Sequence, residues 1–176
     1  MKGGINIFRI ELTFEESTVR NKIDQSLLNP ELELDNDTAV LIRICEIFEI
    51  SARVSFFVSG FGQERWPVDC KTDLATVIEE VPYILEKVNN GDFFFELDFY
   101  EQGIERTLIF EEEDSKVQIT CSSRTDWIPD PNSIRMDKSE VLRMFENFYN
   151  SFWECSYVLC SELAEHPLLK NMQLKS

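Results

Sequence analysis

The stretch DKSEVLRMFENFYNSFWECSYVLCSELA, residues 137–164, decides how this chain folds. Its apolar positions Val141, Phe145, Phe148, Phe152, Cys155 and Leu159 recur in steps of four and three. That spacing puts all six side chains on one line down a helix. Met144, Tyr149, Trp153 and Leu163 widen the line into a face, and Arg143, Glu146, Asn147, Asn150 and Glu154 fall largely elsewhere. Asp137 stands three residues before Glu140, the pattern of a reciprocal helix cap. His166-Pro167 supplies a stop, with the histidine suited to the negative end of the helix dipole. At about 1.5 Å per residue, a helix over 137–164 runs roughly 40 Å and crosses a small domain.

Upstream of this helix the period changes. Residues 5–14 alternate, with Phe8, Ile10, Leu12 and Phe14 on one face and Arg9, Glu11 and Thr13 on the other. This predicts a half-buried strand. Residues 15–34 predict an irregular connection with at most one helical turn, broken at Asn29-Pro30. Asp35-Asn36-Asp37-Thr38 is rich in capping residues, which favours a short helix over 39–45 rather than a buried strand. From Phe48 the alternation Phe48, Ile50, Ala52, Val54, Phe56, Val58 predicts a second strand, closed by Gly60-Phe61-Gly62. Thr72 or Asp73 begins a helix with Leu74, Val77, Ile78, Val81, Leu85 and Val88 on its apolar face. Pro82 within it predicts a kink or a broken hydrogen bond near Ile78, and Asn89-Asn90-Gly91 a left-handed ending. Residues 92–123 predict three strands joined by short turns at Glu101-Gln102-Gly103 and Glu113-Asp114-Ser115.

The element order is therefore β-α-β-α-β-β-β-α, and the length fits a single α+β domain over 1–176. One economical arrangement is a mostly antiparallel sheet of about five strands with the helices packed on one face. Fourteen phenylalanines supply much of its core, which at this size needs neither disulfides nor metals.

Acids outnumber bases 33 to 17, a formal charge of −16. Such a chain repels nucleic acids and anionic membrane surfaces and favours a basic protein partner, through complementary fields. Acidity that serves solubility alone is the competing reading. Five unpaired cysteines in apolar contexts, no leader-like apolar run and no membrane-length segment give a cytoplasmic expectation. No metal or cofactor is expected, because His166 is the only histidine and no Cys-x-x-Cys occurs. Gly-x-Ser-x-Gly, the P-loop and His-Glu-x-x-His are also missing.

Two groups remain as candidate binding residues. Alternation places Glu96, Asp98, Glu105 and Glu111 on one sheet face, where carboxylates could meet a basic protein or simply keep the face wet. Trp66 and Trp127, each beside a proline in a loop, are either anchors for a partner or plugs at the end of the core. The segments 99–108 (FYEQGIERTL) and 125–131 (TDWIPDP) look like signature stretches of a small bacterial family. In length, element order, acidity and lack of catalytic motifs, the whole chain resembles bacterial immunity-type proteins of polymorphic toxin and contact-dependent inhibition systems. That resemblance implies a small cytoplasmic protein that neutralises a cognate toxin by binding it, and it assigns no residue a role. The expectation is a non-enzymatic binding protein. A small hydrolase using carboxylates and a homo-oligomeric structural subunit are the alternatives.

Overall fold

A computed structural model describes residues 7–16 and 23–173. The start of the first predicted strand (residues 5 and 6) and part of the 15–34 connection lie outside the described residues. The protein is α+β, with three helices and two antiparallel sheets. Strands β1 (Arg9–Phe14) and β2 (Val54–Ser59) form a ribbon in which Ile10 faces Val58 and Leu12 faces Phe56. Strands β3 (Phe95–Phe99), β4 (Arg106–Glu113), β5 (Lys116–Ser123) and β6 (Ser133–Asp137) form a meander in sequence order. The single sheet of about five strands is thus corrected to a ribbon of two and a sheet of four.

Helix α1 (Asp37–Ser51) starts where the capping residues indicate, with the Asn36 side chain accepting from the Ala39 N–H at 2.8 Å. It runs well past residue 45, so the second strand begins at Val54 rather than Phe48. Phe48 and Ile50 are helical, and Ala52 ends the helix in the left-handed region at φ 52°. The physical reason is burial on several sides: Val40, Leu41, Ile44, Cys45, Ile47 and Phe48 are all in the core. A helix so enclosed carries no clean 3.6-residue stripe, and its last turn mimics alternation.

Helix α2 (Asp73–Asn89) continues through Pro82 without a break. Its start is held by Asp69 and Asp73 in exchange. Asp69 Oδ1 accepts from the Thr72 N–H at 2.6 Å, and Asp73 Oδ2 accepts from the Asp69 N–H at 2.9 Å. The left-handed ending is present, at Gly91 with φ 78°. Helix α3 (Lys138–Ala164) begins as predicted, with the Asp137 N–H donating to Glu140 at 3.1 Å. Its helical path is interrupted at Cys160, whose φ and ψ are −153° and 59°. Beyond it, His166 caps a short 3-10 turn at Pro167–Leu169, its Nδ1 accepting from the Leu168 N–H at 3.3 Å.

Helix α3 packs on β1, β5 and β6 and on both other helices, while α2 covers β3. Its phenylalanines reach every layer. Phe145 lies edge-on to Phe95 at 5.7 Å and tilted to Phe110 at 5.8 Å, Phe148 stacks on Phe56 at 5.8 Å, and Phe152 meets Phe48 at 5.5 Å. Apolar burial is worth roughly 25 cal/mol per Å², so these rings dominate the stabilising side of the fold. Phe145→Ala is expected to cost about 3–5 kcal/mol of unfolding free energy. Urea denaturation checks this, and a loss below about 1 kcal/mol would show that the core collapses into the cavity.

Candidate functional site

Alternation along the four-stranded sheet turns Phe95, Leu97, Leu108, Phe110, Val117, Ile119, Ile134 and Met136 inward. The opposite face carries the candidate carboxylates, and the structure does not gather them into one row. Glu96 and Asp98 sit together on β3, opposite Ile109 and Thr107. Glu111 lies near the β4–β5 turn, facing Gln118. Glu105 falls in the loop before β4 at φ 41°, where its carbonyl accepts from the Arg124 N–H at 2.9 Å.

Cations neutralise much of this face. Arg124 pairs with Asp98 at 2.9 Å, and Thr107 Oγ1 also donates to Asp98 at 3.0 Å. Arg135 pairs with Glu113 at 2.7 Å and Lys116 with Asp137 at 2.6 Å on this face, and Lys138 with Glu112 on the opposite one. Exposed pairs of this kind are worth about 0–1 kcal/mol each. Their consequence here is a change in charge pattern rather than in stability: the β4–β6 end is balanced.

The β3 end is not balanced. Strand β3 pairs only with β4, so its other side is an open edge flanked by α2. Glu79 and Glu80 of α2, Glu96 and Asp98 of β3, and Glu101 just beyond it converge there. Burial first, then the nearby charges of Asp98, Glu79 and Glu96, push the Glu80 carboxyl up to about 7. Burial and the carboxylates of Glu101, Glu79, Glu80 and Asp98 push the Tyr100 phenol up too. Three aromatic rings stand exposed in the same segments, Tyr83 of α2 at 59 %, Phe94 at 63 % and Tyr100 at 54 %. Tyr100, Glu79 and Glu101 line a depression of about 310 Å³ with Thr38, Ile42 and Lys71. The Thr38 hydroxyl donates to Glu79 at 2.5 Å, which fixes that carboxylate at its rim.

The two tryptophans come together beside the last residue of β3, where Trp66 meets Phe99 edge on at 5.3 Å. Trp66 is 1 % exposed and donates its indole N–H to the Gly60 carbonyl at 3.2 Å, so it plugs the core rather than offering an anchor. Trp127 is half-buried and meets Trp66 edge to face at 6.0 Å. Arg106 lies between them, its Cζ 4.3 Å from the Trp66 ring centre and 3.5 Å from that of Trp127.

Sequence reading missed Glu79, Glu80 and Arg106. The signal for Arg106 was available: it shares the inward parity of Leu108 and Phe110 on β4. Glu79 and Glu80 gave none, because acids on the polar face of a helix are commonplace and only α2 packing beside β3 makes them notable. Among the described residues no group of three or more His, Cys, Asp or Glu side chains could hold a metal ion, and no helix is long and apolar enough to cross a membrane. No protein-family model, curated protein or solved structure matches the chain.

Glu80 makes a pH prediction. A carboxyl that titrates near 7 when folded, above its ordinary 4.5, holds its proton more tightly in the folded chain. Its contribution to stability therefore falls as pH rises through 4.5 to 7. Glu80→Gln is expected to flatten stability over that range and to exceed the parent above pH 7 by on the order of 1–2 kcal/mol, after allowance for solvent screening. Urea midpoints measured at intervals across the range check it. Parallel pH curves for the two proteins would show that Glu80 is not held in this state.

Proposed function

We propose that this protein is a non-enzymatic binding protein that grips a basic protein through the α2–β3 edge, in the manner of an immunity-type inhibitor of a cationic toxin. The observation that carries the reading is the uncompensated set Glu79, Glu80, Glu96 and Glu101 around exposed Tyr83, Phe94 and Tyr100. Aromatic side chains concentrate interface energy, and a ring of like charge steers an oppositely charged partner into register. Burial first and the neighbouring carboxylates second hold the Glu80 proton, so lysines or arginines brought to this edge would ease part of the shift and release a proton, and binding would tighten as pH rises towards 7 and level off above it. The edge strand adds unpaired backbone groups for a partner's strand. The proposed role is consistent with the chain's charge of −16, and a cytoplasmic setting is the one the resemblance implies.

A carboxylate hydrolase is the second reading, favoured by a Glu80 carboxyl poised near 7 beside other acids. Glu80 is not among the residues lining the adjoining depression, which places it poorly for a bound substrate.

The test is capture from a lysate of the native host with the parent protein and with a Glu96→Lys, Glu101→Lys variant, at low and high salt. Asp98 is left intact because a lysine there would face Arg124. One basic protein is expected in stoichiometric yield, released by salt and lost to the variant. With that protein in hand, the double reversal should slow association about tenfold or more and flatten its salt dependence. Equal capture and equal salt dependence for parent and variant would remove this edge from the interface.

A further inference from the structure

The neighbouring ladder fixes which backbone groups of β3 are committed and which are not. The Arg124 N–H donates to the Glu105 carbonyl at 2.9 Å, and this pair continues the β4–β5 register. Antiparallel ladders alternate, so Thr107 and Ile109 also turn their backbone groups to β5, and Arg106, Leu108 and Phe110 turn theirs to β3. Across the β3–β4 register those three residues face Phe99, Leu97 and Phe95. Glu96 and Asp98 therefore point their N–H and C=O groups away from β4.

On that side they meet no partner. Strand β3 pairs with β4 alone, and neither residue's backbone is hydrogen-bonded there among the described residues. The Phe94 N–H is already taken by the Asp92 side chain at 2.9 Å. What stays vacant is a short ladder, the N–H and C=O of Glu96 followed two residues on by those of Asp98.

The same residues carry the side chains of the outer face. Phe95, Leu97 and Phe99 turn into the core and Glu96 and Asp98 turn out, with the exposed rings of Phe94 and Tyr100 extending the outer row at either end. Arg124 holds Asp98, so Glu96 is the carboxylate of this row left without a cation. Residues that exchange hydrogen bonds in an antiparallel ladder set their side chains next to each other on one face. Whatever residue bonds to the Glu96 backbone thus lays its own side chain beside the Glu96 carboxylate. The positions between turn towards α2, whose Glu80 is held near 7 by burial and its acidic neighbours, and an uncharged side chain suits that surface.

We infer that the partner of this edge presents an extended strand antiparallel to β3, with a lysine or arginine across from Glu96 and an uncharged residue across from Asp98. This rests on the proposed reading of the α2–β3 edge as a surface for a basic protein, and it adds the segment by which that protein is held. A helix or a compact loop would answer the charge but not donors and acceptors repeating every second residue. A second copy of β3 would set acid against acid.

The blocked peptide acetyl-RTTVKTY-amide follows this pattern. Laid antiparallel, its third residue falls across from Asp98, its lysine across from Glu96 and its tyrosine across from Phe94. Added to ¹⁵N-labelled protein, it is expected to shift the Glu96 and Asp98 amide signals saturably and to slow their exchange with solvent. Two further peptides of identical charge test the ladder itself. A methyl group on the lysine backbone nitrogen removes a donor aimed at β3 and should weaken binding about tenfold or more. The same methyl on the valine nitrogen, which points to solvent, should change affinity less than about twofold. Absence of a saturable shift, or equal losses from the two methylations, would overturn the strand. Glu96→Lys separates that failure from failure of the reading beneath it. Binding that the variant loses, while the two methylations act alike, would remove the strand and keep the charged edge. Binding that the variant keeps at full strength would remove both.

Discussion

Every layer of this protein meets on one ridge of aromatic rings. Phe145, Phe148 and Phe152 project from α3 at helical spacing and touch, respectively, the four-stranded sheet, the two-stranded ribbon and α1. Neither sheet pairs with the other by backbone hydrogen bonds, so their common orientation comes through this helix and the core around it. Phe8 closes the circuit from the ribbon side, tilted against Trp66 at 6.1 Å and edge-on to Phe110 at 6.3 Å. A fold held by side-chain packing in this way depends on ring shape more than on ladder geometry, which accounts for the reliance on phenylalanine.

That interior has a consequence for the surface. With the apolar positions committed inward, most of the described acids lie outside, Glu46 and Asp73 excepted, and they outnumber the bases available to pair with them. Arg135, Lys116 and Lys138 serve the β4–β6 part of the four-stranded sheet, Arg124 takes Asp98 alone on β3, and Lys87 of α2 is paired with Asp92. The α2–β3 edge is what they leave over. Its field thus arises from the placement of cations elsewhere as much as from its own carboxylates.

The helix at 137–164 was legible because one face alone is buried, and the meander at 92–123 because each strand has one wet side. Where those conditions failed, the pattern misled. Helix α1 is enclosed on several sides, and Phe48, Ile50 and Ala52 alternate by accident of its last turn. Strand β6 is short and follows a proline-rich loop, and only Ile134 and Met136 point inward to mark it. The division into two sheets was not legible at all, since period-two patterns state which face is buried and not which strand lies beside it. For the candidate residues, alternation put Glu96, Asp98 and Glu111 on one face, but the cations paired along that face come from β5, β6 and the loop at 124. Such partners become visible only once the chain is folded.

The run Phe93-Phe94-Phe95-Glu96-Leu97-Asp98-Phe99-Tyr100 holds β3, which pairs with a strand on one side only. Stripped of its two acids it would be a sequence of strong β-former residues offering free backbone donors and acceptors to any identical neighbour, the recipe for stacking into fibres. Glu96 opposes that, because two copies meeting edge to edge would bring like carboxylates together, whereas Asp98 is already paired with Arg124. The same charges that discourage a second copy do not discourage a strand bearing lysine or arginine. On the proposed reading this edge is closed to self and open to a partner of opposite sign, and the sorting falls largely to Glu96.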